Sequence, residues 1–203
     1  MGRLRSLFGP SKDEIWRQLA CEIRADYDAS DKWRGSKVRA HHKEWTITLD
    51  THTVSAGKTA TTYTRLRAPY VNADGFQFTI YRRGIFSNMA KFLGMQDVSV
   101  GDPKFDDAFI IQGTSRERLS AFFSNPRIRS LIMRQDRIHL QVRDDEGWFG
   151  NEFPKGVDEL YFTYAGVIKD VDRLKELYEL FAESLDQLCR IGSAYQKDPG
   201  VKL

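Results

Sequence analysis

The sequence predicts a single α+β domain, built on a mainly antiparallel curved sheet of about six or seven strands. Short segments that alternate apolar and polar residues, the period of a half-buried strand, recur along the 203-residue chain. Most connections between them are too short for the crossovers that parallel strands need. Amphipathic helical patterns stand near both ends of the chain, and the longer C-terminal one should pack on the sheet.

The chain should be organised as one domain with two short ends. Residues 1–10 are basic and apolar, and we predict a flexible N-terminal arm that stops at Gly9-Pro10. Residues 11–192 hold all the helix and strand patterns, and the polar residues 193–203 are predicted to fray. No internal repeat, low-complexity segment or linker divides the domain.

Ser11 is predicted to begin the first helix as its N-cap, and Glu14 completes a capping box. Apolar side chains then recur every four residues and form one buried face, at Ile15, Leu19 and Ile23. The helix should end near Tyr27, and a polar loop over residues 28–36 should follow it.

Four strands should follow the first helix. A short strand at Val38–His42 precedes a long hairpin between Trp45 and Ala68, with its turn at residues 55–58. Pro69 should end the second strand of the hairpin or place it at an edge. The fourth strand alternates apolar and polar side chains over residues 76–81.

The second half of the chain mixes short helices and strands before one long helix. Three short helices are predicted, at residues 85–93, 115–123 and 126–133. Three strands are predicted, at residues 105–112, 138–142 and 160–168. Asp170 can cap the C-terminal helix and Gly192 can end it, and its wide apolar stripe favours packing on a sheet over a coiled coil.

Composition and charge bound the class of protein. The net charge of +3 is too small to predict a nucleic-acid partner, although residues 1–101 carry 16 Lys and Arg against 10 Asp and Glu. Cys21 and Cys189 stand far apart and predict free thiols in a reducing compartment, with a disulfide between them as the alternative. The sequence has no apolar core of a signal peptide and no spanning segment, so we expect a cytoplasmic protein.

No complete catalytic, metal-binding or nucleotide-binding motif occurs, so we predict no catalytic residue, no cofactor and no metal site. Gly57-Lys58-Thr59 resembles the end of a phosphate-binding loop, but His52 stands where that loop needs glycine. The segment also leads into a strand, whereas the loop must open a helix. His41 and His52 can approach each other on neighbouring strands, but two ligands without a third make a weak metal site.

Four arginines are the candidates for binding an anion or a lipid. We predict Arg65, Arg67, Arg82 and Arg83 on two neighbouring strands, with tyrosines beside them. Basic residues between aromatic ones bind phospholipid headgroups or single-stranded nucleic acid. Alternating arginines on a half-exposed sheet are equally typical of an ordinary solvent face, and no RNA-binding signature accompanies these.

Three aromatic residues, Trp148, Phe149 and Phe153, lie in a predicted loop. Loops seldom carry such large side chains, so this segment either folds back on the core or forms a contact surface. We predict these three residues as the partner-binding site.

The run Gly101–Gly113, GDPKFDDAFIIQG, resembles a segment of uncharacterised bacterial proteins grouped as a domain of unknown function. In those proteins a short helical region like residues 119–131 and a strand like residues 138–142 follow it. The ending Gly166–Asp170 before a leucine-rich helix is also similar, and the likeness covers about residues 100–190. The resemblance implies a bacterial source and an unassigned role, and it brings no site residues.

These observations favour a non-catalytic binding or scaffolding domain that holds a protein or an apolar ligand on its sheet face or aromatic loop. A second hypothesis is a peripheral protein that binds an anionic membrane surface through the four arginines and the basic arm. A third is an enzyme of unrecognised type built on His41, His52 and two acidic clusters, which are Asp102, Asp106 and Asp107 and Asp144, Asp145 and Glu146. The sequence leaves a homo-oligomer open.

Overall fold

The computed structural model describes residues 9–29, 35–84, 96–144 and 153–203. Within them the chain forms an α+β fold of five helices and ten strands. The helices are α1 (Lys12–Ile23), α2 (Pro103–Ala108), α3 (Arg116–Phe123), α4 (Pro126–Met133) and α5 (Val171–Arg190). The strands are β1 (Asp26–Asp28), β2 (Lys37–His42), β3 (Trp45–Ala56), β4 (Thr59–Asn72), β5 (Phe78–Arg82), β6 (Gln96–Asp97), β7 (Phe109–Gly113), β8 (His139–Arg143), β9 (Val157–Ala165) and β10 (Ala194–Tyr195).

The strands form one sheet, and every pair of named strands is antiparallel. Nine strands follow the order β1-β2-β3-β4-β9-β8-β5-β7-β6, and β10 pairs with β4 outside this path. Within the described residues β1 and β6 do not pair with each other, so the sheet is open. Seven strands have five residues or more, and the other three have two or three. The predicted fold class is therefore confirmed.

The capping box predicted for the first helix is present. The backbone N–H of Glu14 donates to Ser11 Oγ (3.2 Å), and the N–H of Ser11 donates to Glu14 Oε2 (2.8 Å). The predicted end near Tyr27 is wrong, because Arg24 adopts a left-handed conformation (φ 55°) that closes α1 after Ile23. The chain then enters β1, which pairs with β2.

The long hairpin of β3 and β4 is confirmed, and β4 runs through Pro69 to Asn72. The β3 ladder stops at the pair Thr48–Arg67, so at Pro69 the strand pairs with Glu159 of β9 on the other side. Proline lacks the N–H that a second neighbour would require. Pro69 therefore lies at a local edge without ending the strand.

Two other predicted elements differ in the structure. Residues 105–108 belong to α2, because Asp102 accepts a hydrogen bond from the N–H of Phe105 and caps the helix ahead of β7. β9 begins at Val157, three residues before its predicted start. The predicted helix at 85–93 lies outside the described residues. In the predicted frayed tail, Ala194 and Tyr195 pair with β4 as β10.

The helices bury the apolar face of the sheet. One core cluster joins sheet residues such as Leu66 and Phe162 to the apolar stripe of α5. Two hydrogen bonds to backbone carbonyls hold α1 and α5 in place. Trp16 Nε1 of α1 donates to Ile168 O (3.2 Å), and Tyr178 Oη of α5 donates to Val38 O (2.9 Å). We predicted that the sheet face holds an apolar ligand. The apolar face of the sheet is instead covered by the protein's own helices.

Replacing Tyr178 with phenylalanine should lower the free energy of unfolding by about 1 kcal/mol, because the Val38 carbonyl loses its buried donor. Urea denaturation measures the change. Tyr195→Phe is the matched control, since the Tyr195 side chain is exposed and should be removable without effect. Equal stability of Tyr178→Phe and the native protein would contradict the role of this hydrogen bond.

Candidate functional site

The second face of the sheet, here called the outer face, is polar and yet largely buried. Side chains alternate along a strand, so residues paired across strands share a face with their partners. The buried polar residues of the outer face are Thr48, Asp50, Arg67, Thr79, Gln112, His139, Gln141 and Glu159. A buried charge is costly unless it is paired, so the ion pairs on this face decide what it can do.

Asp50 lies at the centre of the first ion cluster. Arg65 donates Nε and Nη2 to its two carboxylate oxygens (2.8 and 2.9 Å), and Arg67 Nη2 donates to Oδ2 (2.7 Å). Burial raises the pKa of Asp50, but the hydrogen bonds and charges of the two arginines outweigh burial and hold the pKa below its usual range. Both arginines are thus committed to a carboxylate inside the protein.

A second ion pair joins β8 and β9. Arg143 Nε donates to Glu159 Oε1 (2.6 Å), and the Glu159 side chain is fully buried. The Arg143 guanidinium also lies 3.6 Å from the centre of the Tyr161 ring, a cation–π contact. The pair is structural in character, because both of its charges face protein groups.

His139 lies on the same face of β8 as Arg143, with Gln141 between them. Burial, followed by the positive charge of Arg143, lowers the pKa of His139 to about 4. Its ring meets the Tyr81 ring edge-on at a centroid distance of 6.4 Å. At neutral pH His139 is therefore an uncharged imidazole held in the sheet.

A cleft of about 370 Å³ opens where residues 201–203 lie over β2, β3 and β4. We call it the tail cleft, and its lining residues are Arg39, His41, Thr46, Thr48, Pro69, Val201, Lys202 and Leu203. Arg39 Nη2 donates to the main-chain oxygen of Leu203 (3.3 Å), and Nη1 pairs with Asp28. Its position beside the buried Thr48 places the tail cleft at the border of the outer face.

Three side chains at the rim of the tail cleft stand in the order acid, imidazole, hydroxyl. Asp26 Oδ2 lies 3.7 Å from His41 Nε2, and His41 Nδ1 lies 3.2 Å from Thr46 Oγ1. The first distance is too long for a hydrogen bond, and the His41 and Asp26 side chains are 69% and 75% exposed. A hydrolytic triad needs an acid that is buried and bonded to the imidazole, so the rim does not meet that requirement.

The structure does not bring the four predicted arginines together. β4 and β5 are separated by β9 and β8, so the expectation of neighbouring strands is wrong. Arg82 Nη2 donates to the carbonyls of Met133 and Gln135 (3.2 Å each). Arg83 Nη2 donates to the carbonyl of Asp106 (3.2 Å). The four guanidinium groups thus serve two separate parts of the fold.

The other predicted candidates are also dispersed. Trp148 and Phe149 lie outside the described residues, and Phe153 is half-buried just ahead of β9.

His41 pairs with Thr46 in the register of β2 and β3, so His52 stands six residues farther along β3, about 20 Å away. In the described parts of the chain no three His, Cys, Asp or Glu side chains come together as metal ligands. Cys21 and Cys189 are free thiols.

Sequence reasoning missed the residues that define the site. Asp50 and Glu159 look like ordinary solvent-facing strand residues in the sequence, and nothing local marks them as buried partners of arginine. The register of the hairpin was the available signal, because the two-residue turn at Gly57-Lys58 places Asp50 opposite Arg65. Val201 and Leu203, in a polar tail, carried no signal at all.

Comparison with known proteins supports the fold. No model of a protein family matches the chain, and no curated protein matches it. Among solved structures, the mycobacterial trehalose monomycolate transport factor A, TtfA, superposes with a TM-score of 0.53 over 87% of this chain and 94% of its own, at 10% identity. Such a likeness shows the fold alone. The resemblance of residues 100–190 to uncharacterised bacterial proteins stays a prediction.

No helix in the described residues is long and apolar enough to cross a membrane.

Replacing Arg143 with methionine should lower the free energy of unfolding by about 3 kcal/mol, because the buried Glu159 carboxylate loses its guanidinium. The double variant Arg143→Met/Glu159→Leu should recover most of this loss, since it buries no charge. Arg116→Met, at an exposed arginine of α3, is the control. Urea denaturation of the four proteins gives the comparison, and a single variant as stable as the native chain would show that the pair is dispensable.

The native protein should lose about 2 kcal/mol of stability between pH 7 and pH 5 through His139, in proportion to its pKa shift. The unfolded chain takes up a proton near pH 6.5, whereas the folded one resists it to about pH 4, so stability falls as the pH falls through this window. His139→Gln should remove this component of the pH dependence, and His41→Gln should keep it. Urea denaturation at both pH values measures the change. An equal fall in the free energy of unfolding between pH 7 and pH 5 for His139→Gln and the native protein would refute the assignment.

Proposed function

We propose that this chain is a non-catalytic binding domain, and that the tail cleft holds a small amphiphile with an anionic group. The lining of the cleft carries this proposal, because it combines an apolar wall with an arginine. The binding role inferred from the sequence is retained, but it is assigned to the tail cleft and not to the apolar face of the sheet.

The size and lining of the tail cleft suit a small ligand. Its volume of about 370 Å³ lies in the lower part of the roughly 300–1,000 Å³ typical of small-molecule sites. Pro69, Val201 and Leu203 provide apolar surface for an alkyl chain, and the hydroxyls of Thr46 and Thr48 provide hydrogen bonds. A ligand here would replace water on a surface that is mostly apolar.

Arg39 is the group in the tail cleft that can bind an anion. Its guanidinium presents a planar fork that matches a carboxylate, and the main-chain oxygen of Leu203 now accepts from one of its donors at 3.3 Å. A ligand carboxylate would replace that oxygen as the acceptor. Thr48 pairs with Arg39 on one side and with Arg67 on the other, so the hydroxyl of Thr48 lies between the strands that carry these two arginines.

TtfA is named as a transport factor, and a ligand-holding role for this chain is compatible with that likeness. At 10% identity the likeness concerns the fold, so the ligand class rests on the residues that line the tail cleft.

Isothermal titration of the protein with decanoate tests the proposal. We expect saturable binding, and Arg39→Gln should weaken it about tenfold because a charge-assisted hydrogen bond is lost. Leu203→Ser should weaken it through the apolar wall. Arg116→Gln, far from the cleft on an exposed helix surface, should bind like the native protein.

Decanol separates the two parts of the proposal, because it has the same chain length without a charge. Weaker binding of decanol than of decanoate, with the difference abolished in Arg39→Gln, supports an anionic site. Absence of decanoate binding, or equal affinity of the native protein and both cleft variants, would overturn the assignment of the tail cleft.

A further inference from the structure

The hairpin of β3 and β4 projects beyond its neighbours in the sheet. β2 pairs with β3 as far as Leu49, and β9 pairs with β4 only from Thr64 onward. Residues 52–55 and 57–61, between these limits, are exposed. We call residues 52–63 the β-arm.

The β-arm is a regular two-stranded ladder. Its five pairs run from His52–Tyr63 to Ala56–Thr59, a length of about 17 Å. The turn is Gly57-Lys58, with Gly57 at φ +61°, as in a type II′ turn that matches the twist of the strands. The turn therefore holds the arm in one register.

Hydrogen bonds at the base of the β-arm show which backbone groups point outward. Gly166 N–H donates to Thr62 O (2.8 Å), and Thr64 N–H donates to Gly166 O (2.9 Å), so these groups of β4 point away from β3. Thr53 is the partner of Thr62, and in such a pair both residues direct N–H and C=O away from each other. Thr53 and Ser55 thus present their backbone groups at the outer edge of β3.

Residues 51–56 lack the residue types that usually protect an edge strand. Residues 51–56 contain no proline and no lysine, arginine, aspartate or glutamate. Within the described residues no strand pairs with β3 beyond Leu49. In the described part of the chain, Val54 is one of three large apolar side chains that are exposed, at 46%.

We propose that a second copy of this chain occupies the edge, with the two β3 strands antiparallel and a two-fold axis at Val54. In this register Val54 faces Val54, and Thr53 faces Ser55 of the other copy in a pair whose outward N–H and C=O groups complete each other. A strand that pairs with itself antiparallel is complementary by symmetry. Because residues 51–56 contain no lysine, arginine, aspartate or glutamate, no such side chains repel each other where the two copies meet.

The other edge of the hairpin favours a closed dimer over a growing fibre. At the base of the β-arm, Gly166 already occupies the outward groups of Thr62 and Thr64 on β4. Strand addition is therefore directed to β3, and a two-fold pairing there uses the same edge of both copies. This inference concerns the tip of the hairpin and does not depend on a ligand in the tail cleft.

Sedimentation equilibrium of the full chain tests the proposal. The native protein should be a dimer at about 100 μM, and Val54→Lys should weaken the dimer at least tenfold because two lysines would face each other at the axis. Thr61→Lys is the matched control. It adds the same charge on the same face of the arm, one strand away from the edge, and should leave the dimer intact.

Charge reversal checks the register. Val54→Asp alone should weaken the dimer as Val54→Lys does, and a mixture of equal amounts of Val54→Lys and Val54→Asp should recover the dimer through the Lys–Asp pair. A native chain that stays monomeric at about 100 μM would overturn the proposal, and the edge of β3 would then be available to a different protein. Equal dimerisation of Val54→Lys and Thr61→Lys would likewise overturn it.

Discussion

The pairing of buried charge on the outer face is the constraint on which the rest of the structure depends. Helices cover the apolar face of the sheet. The outer face is polar, and its side chains Asp50, Arg67 and Glu159 are also buried. The Asp50 cluster ties β3 to β4, and the Arg143–Glu159 pair ties β9 to β8. A register slip of one residue would turn these charges into the apolar core, so the four central strands have one allowed alignment.

Because of this constraint, the surfaces that remain available for binding lie at the two ends of the hairpin of β3 and β4. The outer-face arginines are engaged within the protein, so they are poor candidates for a lipid or nucleic-acid surface. Arg39 is different, because it lies at the border of the outer face and one of its donors bonds to the main-chain oxygen of Leu203, in the tail cleft. At the opposite end, the β-arm leaves the sheet and has an edge without lysine, arginine, aspartate or glutamate. One hairpin thus provides the wall of a cleft at its base and a pairing edge at its tip.

Local signals in the sequence were sufficient for much of the fold. The capping box of Ser11 and Glu14, the short helices at 115–123 and 126–133, and the stripe of α5 depend on residues a few positions apart, and the structure confirms them. The adjacency of β4 and β5 failed because strand order is set by contacts distant in sequence. The tail cleft was unpredictable for the same reason, since Val201 and Leu203 meet Pro69 across more than half of the chain. Asp50 was recoverable, because a two-residue turn fixes the residue opposite each position of the hairpin.

The most direct test of a binding role for the tail cleft is a map of where decanoate acts on the folded protein. Backbone amide resonances of the ¹⁵N-labelled chain, followed during titration, report each site separately. If the cleft binds the anion, the shifts should concentrate at Arg39, Thr46, Thr48 and residues 201–203, with saturation at one common affinity. Shifts confined to another surface, or unchanged spectra at saturating decanoate, would contradict that role.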